Sequence, residues 1–293
     1  MIYRKFFAYG LIDIFSIKHD FSQVSFVFKF VKKRKKSITV LFLLHKRITM
    51  INILKEFFYL LNSGIVKKDY KKYSFDTVKK SILLLVVLFL FSLFAIIVSF
   101  FFFYYFNITK PTNLLTLSLK NKDVVYKVIL LCVLSPTFEE LLHRLGLKFS
   151  VINISIVITL LVYYISCYFT KSSMYEVEDH LIFNIAFALF SGGAVFIGLT
   201  LFHNQKNKLL LFWTMKPRLI FYISVLFFAL PHLSNFNYIL NLKMLYYIPF
   251  LLLPQIITGV FFGYVRLKYN IFFSILFHSI YNLILLIVST WTK

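Results

Sequence analysis

The sequence predicts an all-α fold, a polytopic transmembrane helix bundle with about seven to eight spans. Three observations carry this expectation. The 293 residues are 60% hydrophobic with a mean hydropathy of +0.80, whereas a soluble domain is roughly 45–50% apolar. The excess is gathered into long runs: Ile82 to Phe106 is uncharged and has the roughly 20-residue length that a bilayer crossing needs. The charge is segregated, because 18 of the 33 Lys and Arg lie in residues 1–80 and the later runs are nearly charge-free.

Hydropathy places spans at 82–106, 124–147, 151–169, 181–203, 219–233, 244–265 and 270–290, with room for a partial eighth before residue 66. Residues 1–80 read as a basic N-terminal extension and juxtamembrane segment, and residues 81–293 as one transmembrane domain. Lys32-Lys33-Arg34-Lys35-Lys36 is a charge block, and the run Ile38 to Leu44 after it is too short to span. Ile51 to Asn62 reads as a helix lying on the membrane surface, followed by Lys67, Lys68, Lys71, Lys72, Lys79 and Lys80. This basic excess puts the N-terminus on the cytoplasmic side, since the loop lysines and arginines are nearly balanced. The net charge of +22 then points to anionic lipid as a partner. Nucleic acid is excluded, because no recognition motif accompanies the charge. Cys132 and Cys167 sit in apolar spans and read as small apolar filler. No cleavable signal peptide is evident in residues 1–31.

An ionisable side chain at mid-bilayer costs at least about 2.5 kcal/mol, so the spans that break the apolar pattern are the informative ones. The second contains Ser135-Pro136-Thr137-Phe138-Glu139-Glu140-Leu141-Leu142-His143-Arg144. Glu140 and Arg144 are i, i+4 and can pair. Glu139 is rotated by about 100° and is free to face the bundle interior. The bland alternative is a helix that ends early, with Glu139 to Arg144 in water. The fifth span contains Phe228-Ala229-Leu230-Pro231-His232, where a histidine taken alone would be interfacial. In the seventh, His278 and Asn282 share one helical face. Their bland reading is an interhelical hydrogen-bond pair. At roughly 1.5 Å per residue the three sites fall at broadly similar depths. They are expected to meet in one cavity open towards the cytoplasm.

These three motifs in this order resemble the CPBP family of intramembrane proteases, which includes prenyl-protein CAAX endopeptidases and bacteriocin self-immunity proteins. Its pattern EExxxR, FxxxH, HxxxN is matched by Glu139, Glu140 and Arg144, then Phe228 and His232, then His278 and Asn282. The resemblance covers roughly residues 123–290, and the GxxxG step of Gly259 and Gly263 before the last motif supports it. The gap between the first two motifs is longer than in many family members, and the spans 151–169 and 181–203 fill it.

The resemblance implies an endopeptidase acting on a peptide or membrane-protein substrate, in the bacterial inner membrane. It implies Glu139 as the base that activates water, His232 as its assistant, and Glu140 as the structural partner of Arg144. His278 and Asn282 would donate to the oxyanion, and no cofactor would be needed. A zinc ion held by Glu139, His232 and His278 is the rival mechanism. A proton-coupled transporter and a non-catalytic scaffold or self-immunity protein remain open as other classes.

Residues 1–49 lack a span-length apolar run, and Met50 opens the cleaner pattern as an alternative start. Deleting residues 1–49 should leave membrane insertion and activity unchanged. A truncated chain that no longer inserts would show that the extension is a working part.

Overall fold

The computed structural model describes residues 51–52, 54–66, 75–108, 112–237 and 246–291. The basic block 32–36 and the rest of 1–49 lie outside the described residues. In chain order the elements are α1 (54–63), α2 (Phe75–Tyr105), β1 (Thr112–Asn113), α3 (Leu114–Ser118), α4 (Val124–Ile129) and α5 (Ser135–Arg144). They continue with α6 (Val151–Thr170), α7 (Leu181–Leu201), α8 (His203–Met215), α9 (Pro217–Ala229), β2 (Phe236–Asn237), α10 (Ile248–Lys268) and α11 (Ile271–Trp291). The two short strands pair antiparallel, Thr112 with Asn237 and Asn113 with Phe236.

Among the described residues, six helical segments are long and apolar enough to cross a membrane: Ile82–Tyr105, Val151–Thr170, Leu181–Leu201, Pro217–Asn235, Ile248–Lys268 and Ile271–Ser289. Their bounds lie within a few residues of the hydropathy reading. Their outer surface is apolar, with Leu90, Phe94, Phe100, Ile182, Leu189 and Phe190 exposed. Glu140, Arg144, Asn184, Arg266 and His278 are buried instead. This inverts the soluble pattern, in which charged residues are almost never fully buried. The chain is a multi-pass helical integral membrane protein.

The expected span 124–147 is helical throughout but changes pitch. It runs from α4 through a π turn, Leu130–Leu134, into α5 and a 3-10 turn, Leu145–Leu147. Pro136 explains the change. In the π turn the Ser135 amide bonds to the Leu130 carbonyl rather than to Leu131. The next amide along belongs to Pro136, which has no N–H to give. The Leu131 carbonyl is left without a helical donor, at the depth where the chain carries its charges.

The two ends of the bundle differ. One end is sealed by α1. Leu60 of α1 is fully buried, Phe57 stacks on Phe261 at 4.6 Å, and Glu56 accepts from Tyr264 at 2.9 Å and Lys268 at 2.8 Å. Gly64 turns the chain out of α1 at φ 72°, where a Cβ would lie 2.3 Å from the Arg218 backbone. Helix α8 lies at this end too, with Trp213 Nε1 donating to the Gly146 carbonyl at 2.8 Å. The sequence reading differs from this in two places. α1 packs one face, Phe57 and Leu60, on the spans while Phe58 and Tyr59 stay exposed, and the compact unit that holds the spans begins at Ile53, ahead of α1. The polar stretch before Pro217 is a helix, although its charges disguise it as a loop. The opposite end carries the β1–β2 pair and the segment 171–180, where Tyr126 donates to Glu176 at 3.0 Å.

Helix α10 is the central element. It packs along α2, where Ser99 Oγ donates to the Phe250 carbonyl at 2.7 Å, and along α9 through Gly259 and Gly263. A Cβ at Gly263 would lie 2.8 Å from the buried Phe221 ring, and one at Gly259 would lie 3.2 Å from Phe228. The absence of side chains there sets how close α9 comes to α10. Gly263→Val should therefore cost about 1–3 kcal/mol through overpacking. The thermal midpoint in detergent should fall, and Phe221→Leu in the same chain should restore part of it.

Candidate functional site

Helix α5 presents two adjacent stripes to the bundle. Pro136, Glu140 and Arg144 are spaced i, i+4, i+8 and are buried. Ser135, Glu139 and His143 form the neighbouring stripe, rotated by one residue. Pairing within the buried stripe matches the expectation: Arg144 Nε lies 3.8 Å from Glu140 Oε2, and both side chains have 0% exposure. The early-ending, solvated helix is thereby ruled out.

The Glu140 carboxylate is the most heavily bonded group of the site. Ser274 Oγ donates to Oε2 at 2.6 Å, and His278 Nδ1 stands 2.9 Å from Oε1. A carboxylate only accepts, so Nδ1 carries the proton. This orients the imidazole with Nε2 turned to Glu139, 3.8 Å from its Oε2. The ring is also sandwiched by a stacking contact with Phe262 at 4.4 Å. Glu139 keeps 21% exposure and has its other oxygen bonded by Ser135 Oγ at 2.5 Å.

Phe228 forms the hub on the α9 side. The Arg144 guanidinium lies 3.8 Å above its ring centre, and Gly259 opposite leaves room for that contact. Such a cation over an aromatic face contributes about 2 kcal/mol when desolvated. It matters here because Arg144 Nε and Nη1 have no hydrogen-bond partner among the described residues. His143, His232 and His278 surround the same ring, with centroids at 5.8, 5.0 and 5.8 Å. His232 sits in the 3-10 turn Leu230–Asn235 that replaces α9 after Ala229. Glu139, His278 and Arg144 are all close enough to act on it electrostatically. Arg266, from α10, caps α5 by donating to the Arg144 and Leu145 carbonyls at 3.3 and 3.4 Å. A cation at a helix C-terminus also complements the helix dipole.

Five of the six residues singled out by sequence therefore converge: Glu139, Glu140, Arg144, His232 and His278. Asn282 does not join them. Its Nδ2 donates at 2.8 Å to the Leu131 carbonyl, the acceptor that Pro136 and the π turn leave free. That bond ties α11 to the turn, as in the interhelical hydrogen bond of the bland reading. At the end bearing Lys148, Arg266 donates to the Arg144 and Leu145 carbonyls and α1 packs on α10 through Phe57 and Phe261.

Sequence reasoning missed Ser274, Ser135, His143 and Tyr175. Ser274 was legible, because it extends the His278–Asn282 face one turn towards the N-terminus. Ser135 and His143 flank Glu139 at four residues on either side. Tyr175 carried no local signal, since it comes from the segment between α6 and α7.

The zinc alternative needs Glu139, His232 and His278 as joint ligands. Among the described residues no three His, Cys, Asp or Glu side chains come together as a metal-holding group. What the arrangement supplies is a partly exposed carboxylate beside a histidine of fixed tautomer, with a second histidine near. That set can accept, hold and return a proton. Set against known protein families, curated proteins and solved structures, the chain matches none of them.

Leaving the Leu131 carbonyl unsatisfied should cost about 1–3 kcal/mol. Asn282→Leu is therefore expected to lower the thermal midpoint and folded yield. An Asn282→Leu chain of unchanged stability would refute the structural assignment of this amide.

Proposed function

We propose that the chain is an intramembrane endopeptidase of the CPBP type, acting on a membrane-embedded or membrane-proximal peptide segment. The observation that carries this reading is Glu139, a partly exposed carboxylate 3.8 Å from His278 Nε2, whose Nδ1 is fixed by the fully buried Glu140. Glu139 takes a proton from a water as the water oxygen bonds to the scissile carbonyl carbon. The oxyanion formed accepts from His278 Nε2 when the ring carries a proton on both nitrogens, Nδ1–H held by Glu140. Glu139 then returns the proton, through His232, to the departing amide nitrogen as the C–N bond breaks. Fixed donors in a site shielded from bulk water stabilise such charge strongly. Asn282 has no direct part in this scheme, unlike in the expectation drawn from the family. The basic N-terminal residues support a cytoplasmic N-terminus, and the bacterial inner membrane suits the self-immunity branch of the family.

The test is cleavage of a membrane-peptide library by purified protein in nanodiscs. Loss of a general base removes about 10²–10⁴-fold in rate, so Glu139→Gln should abolish product while folding normally. Cleavage should survive strong chelators. Equal turnover by Glu139→Gln would sink the peptidase, and one tightly held zinc per chain with chelator-sensitive cleavage would favour the metal mechanism.

A further inference from the structure

The segment between α6 and α7 enters the site, and this has a consequence for Glu139. Met174 and Glu176 are both tied down. Tyr163 donates to the Met174 carbonyl at 3.0 Å, while Tyr126 donates to Glu176 Oε1 at 3.0 Å and Lys122 Nζ lies 3.8 Å from the same oxygen. Tyr175 lies between these two anchors, so its place is set from both sides. Its ring meets Phe138 edge-on at 6.3 Å, one residue before Glu139. The residue is 37% exposed, and its ring lies on the side of α5 that carries Ser135 and Glu139, within electrostatic reach of the Glu139 carboxylate. Burial first, and the Glu139 charge second, push the Tyr175 phenol above its ordinary value. It therefore keeps its proton and can only donate or accept as a neutral hydroxyl.

Ser135 completes the chain of contacts. Its Oγ donates to Glu139 Oε1 at 2.5 Å, a short charge-assisted bond. With Oε1 occupied, Oε2 is the oxygen left facing His278 Nε2. We propose that Ser135 and Tyr175 are positioning residues for Glu139. The serine fixes one carboxylate oxygen, and the tyrosine, carried on a segment strapped at both sides and packed on Phe138, covers the pair. This rests on the reading of Glu139 as the working carboxylate. It gives the segment 171–180 a role as a fixed cover, so that water at that end reaches Glu139 only past Tyr175.

Two measurements in nanodiscs test it. The first is the rate at which a water-soluble carbodiimide modifies Glu139, read by mass spectrometry, which needs no turnover. Tyr175→Ala should raise this rate several-fold, and Tyr126→Phe, which loosens the Glu176 anchor alone, should raise it less. The second is peptide cleavage. Losing the Ser135 bond should lower kcat about tenfold, the equivalent of roughly 1.4 kcal/mol. KM should not change in Ser135→Ala, and Ser135→Thr should restore kcat. Unchanged Glu139 labelling in both tyrosine variants would overturn the proposal whether or not the protein cleaves peptides, as would full kcat in Ser135→Ala. Faster labelling in a protein that cleaves nothing would uphold the covering role and remove the peptidase.

Discussion

A fully buried carboxylate organises this bundle. Removing an ion such as Glu140 from water carries a penalty of several kcal/mol even after relaxation. The fold answers with three groups from two helices. Arg144 supplies the opposite charge from the next turn of α5, while Ser274 and His278 supply hydrogen bonds from α11. None of the three could be removed without leaving charge or a lone pair uncompensated, so α5 and α11 are locked in register. The position of His278 Nε2 against Glu139 follows from that lock.

The guanidinium that balances Glu140 creates a second demand. Arg144 is also fully buried, and among the described residues only one of its nitrogens has a hydrogen-bond partner, Nη2 to the Gly259 carbonyl at 3.4 Å. The ring face of Phe228 supplies the rest of its environment. That contact requires α9 to lie close to α10, which the glycines at 259 and 263 permit. His232 follows Phe228 by four residues, so it is carried to the cluster by the same approach. The buried pair thus accounts for why the three motif-bearing helices sit together, without invoking any substrate.

The π turn shows how a local defect is used. Pro136 would leave a carbonyl unpaired in an apolar interior, where that costs a lost hydrogen bond or more. Asn282 fills the gap from α11. The same proline starts α5 on a new phase and brings Glu140 and Arg144 onto one buried stripe. The asparagine of the motif pattern thus holds α11 to the π turn through the Leu131 carbonyl.

Much of this was legible in the sequence. Span positions follow from apolar runs, because a bilayer tolerates no long polar stretch and every backbone group must bond within its helix. The Glu140–Arg144 pair follows from helical spacing. Convergence of Glu139, His232 and His278 follows from the cost of leaving such groups in lipid. Other features depended on distances between helices, which a linear pattern does not encode. Asn282 turned to Leu131 because the pitch change in α4–α5 exposed that carbonyl. Tyr175 reached Phe138 of α5 because Met174 and Glu176 on either side of it are anchored by Tyr163 and Tyr126. α1 found its place because Phe57 packs on Phe261 of α10 and Tyr222 of α9 donates to the Leu61 carbonyl. The sequence determined which residues could not face lipid; only packing decided which partner most of them found, since partners such as Glu140 with Ser274 and His278, or Asn282 with Leu131, lie more than a hundred residues apart and are selected by geometry.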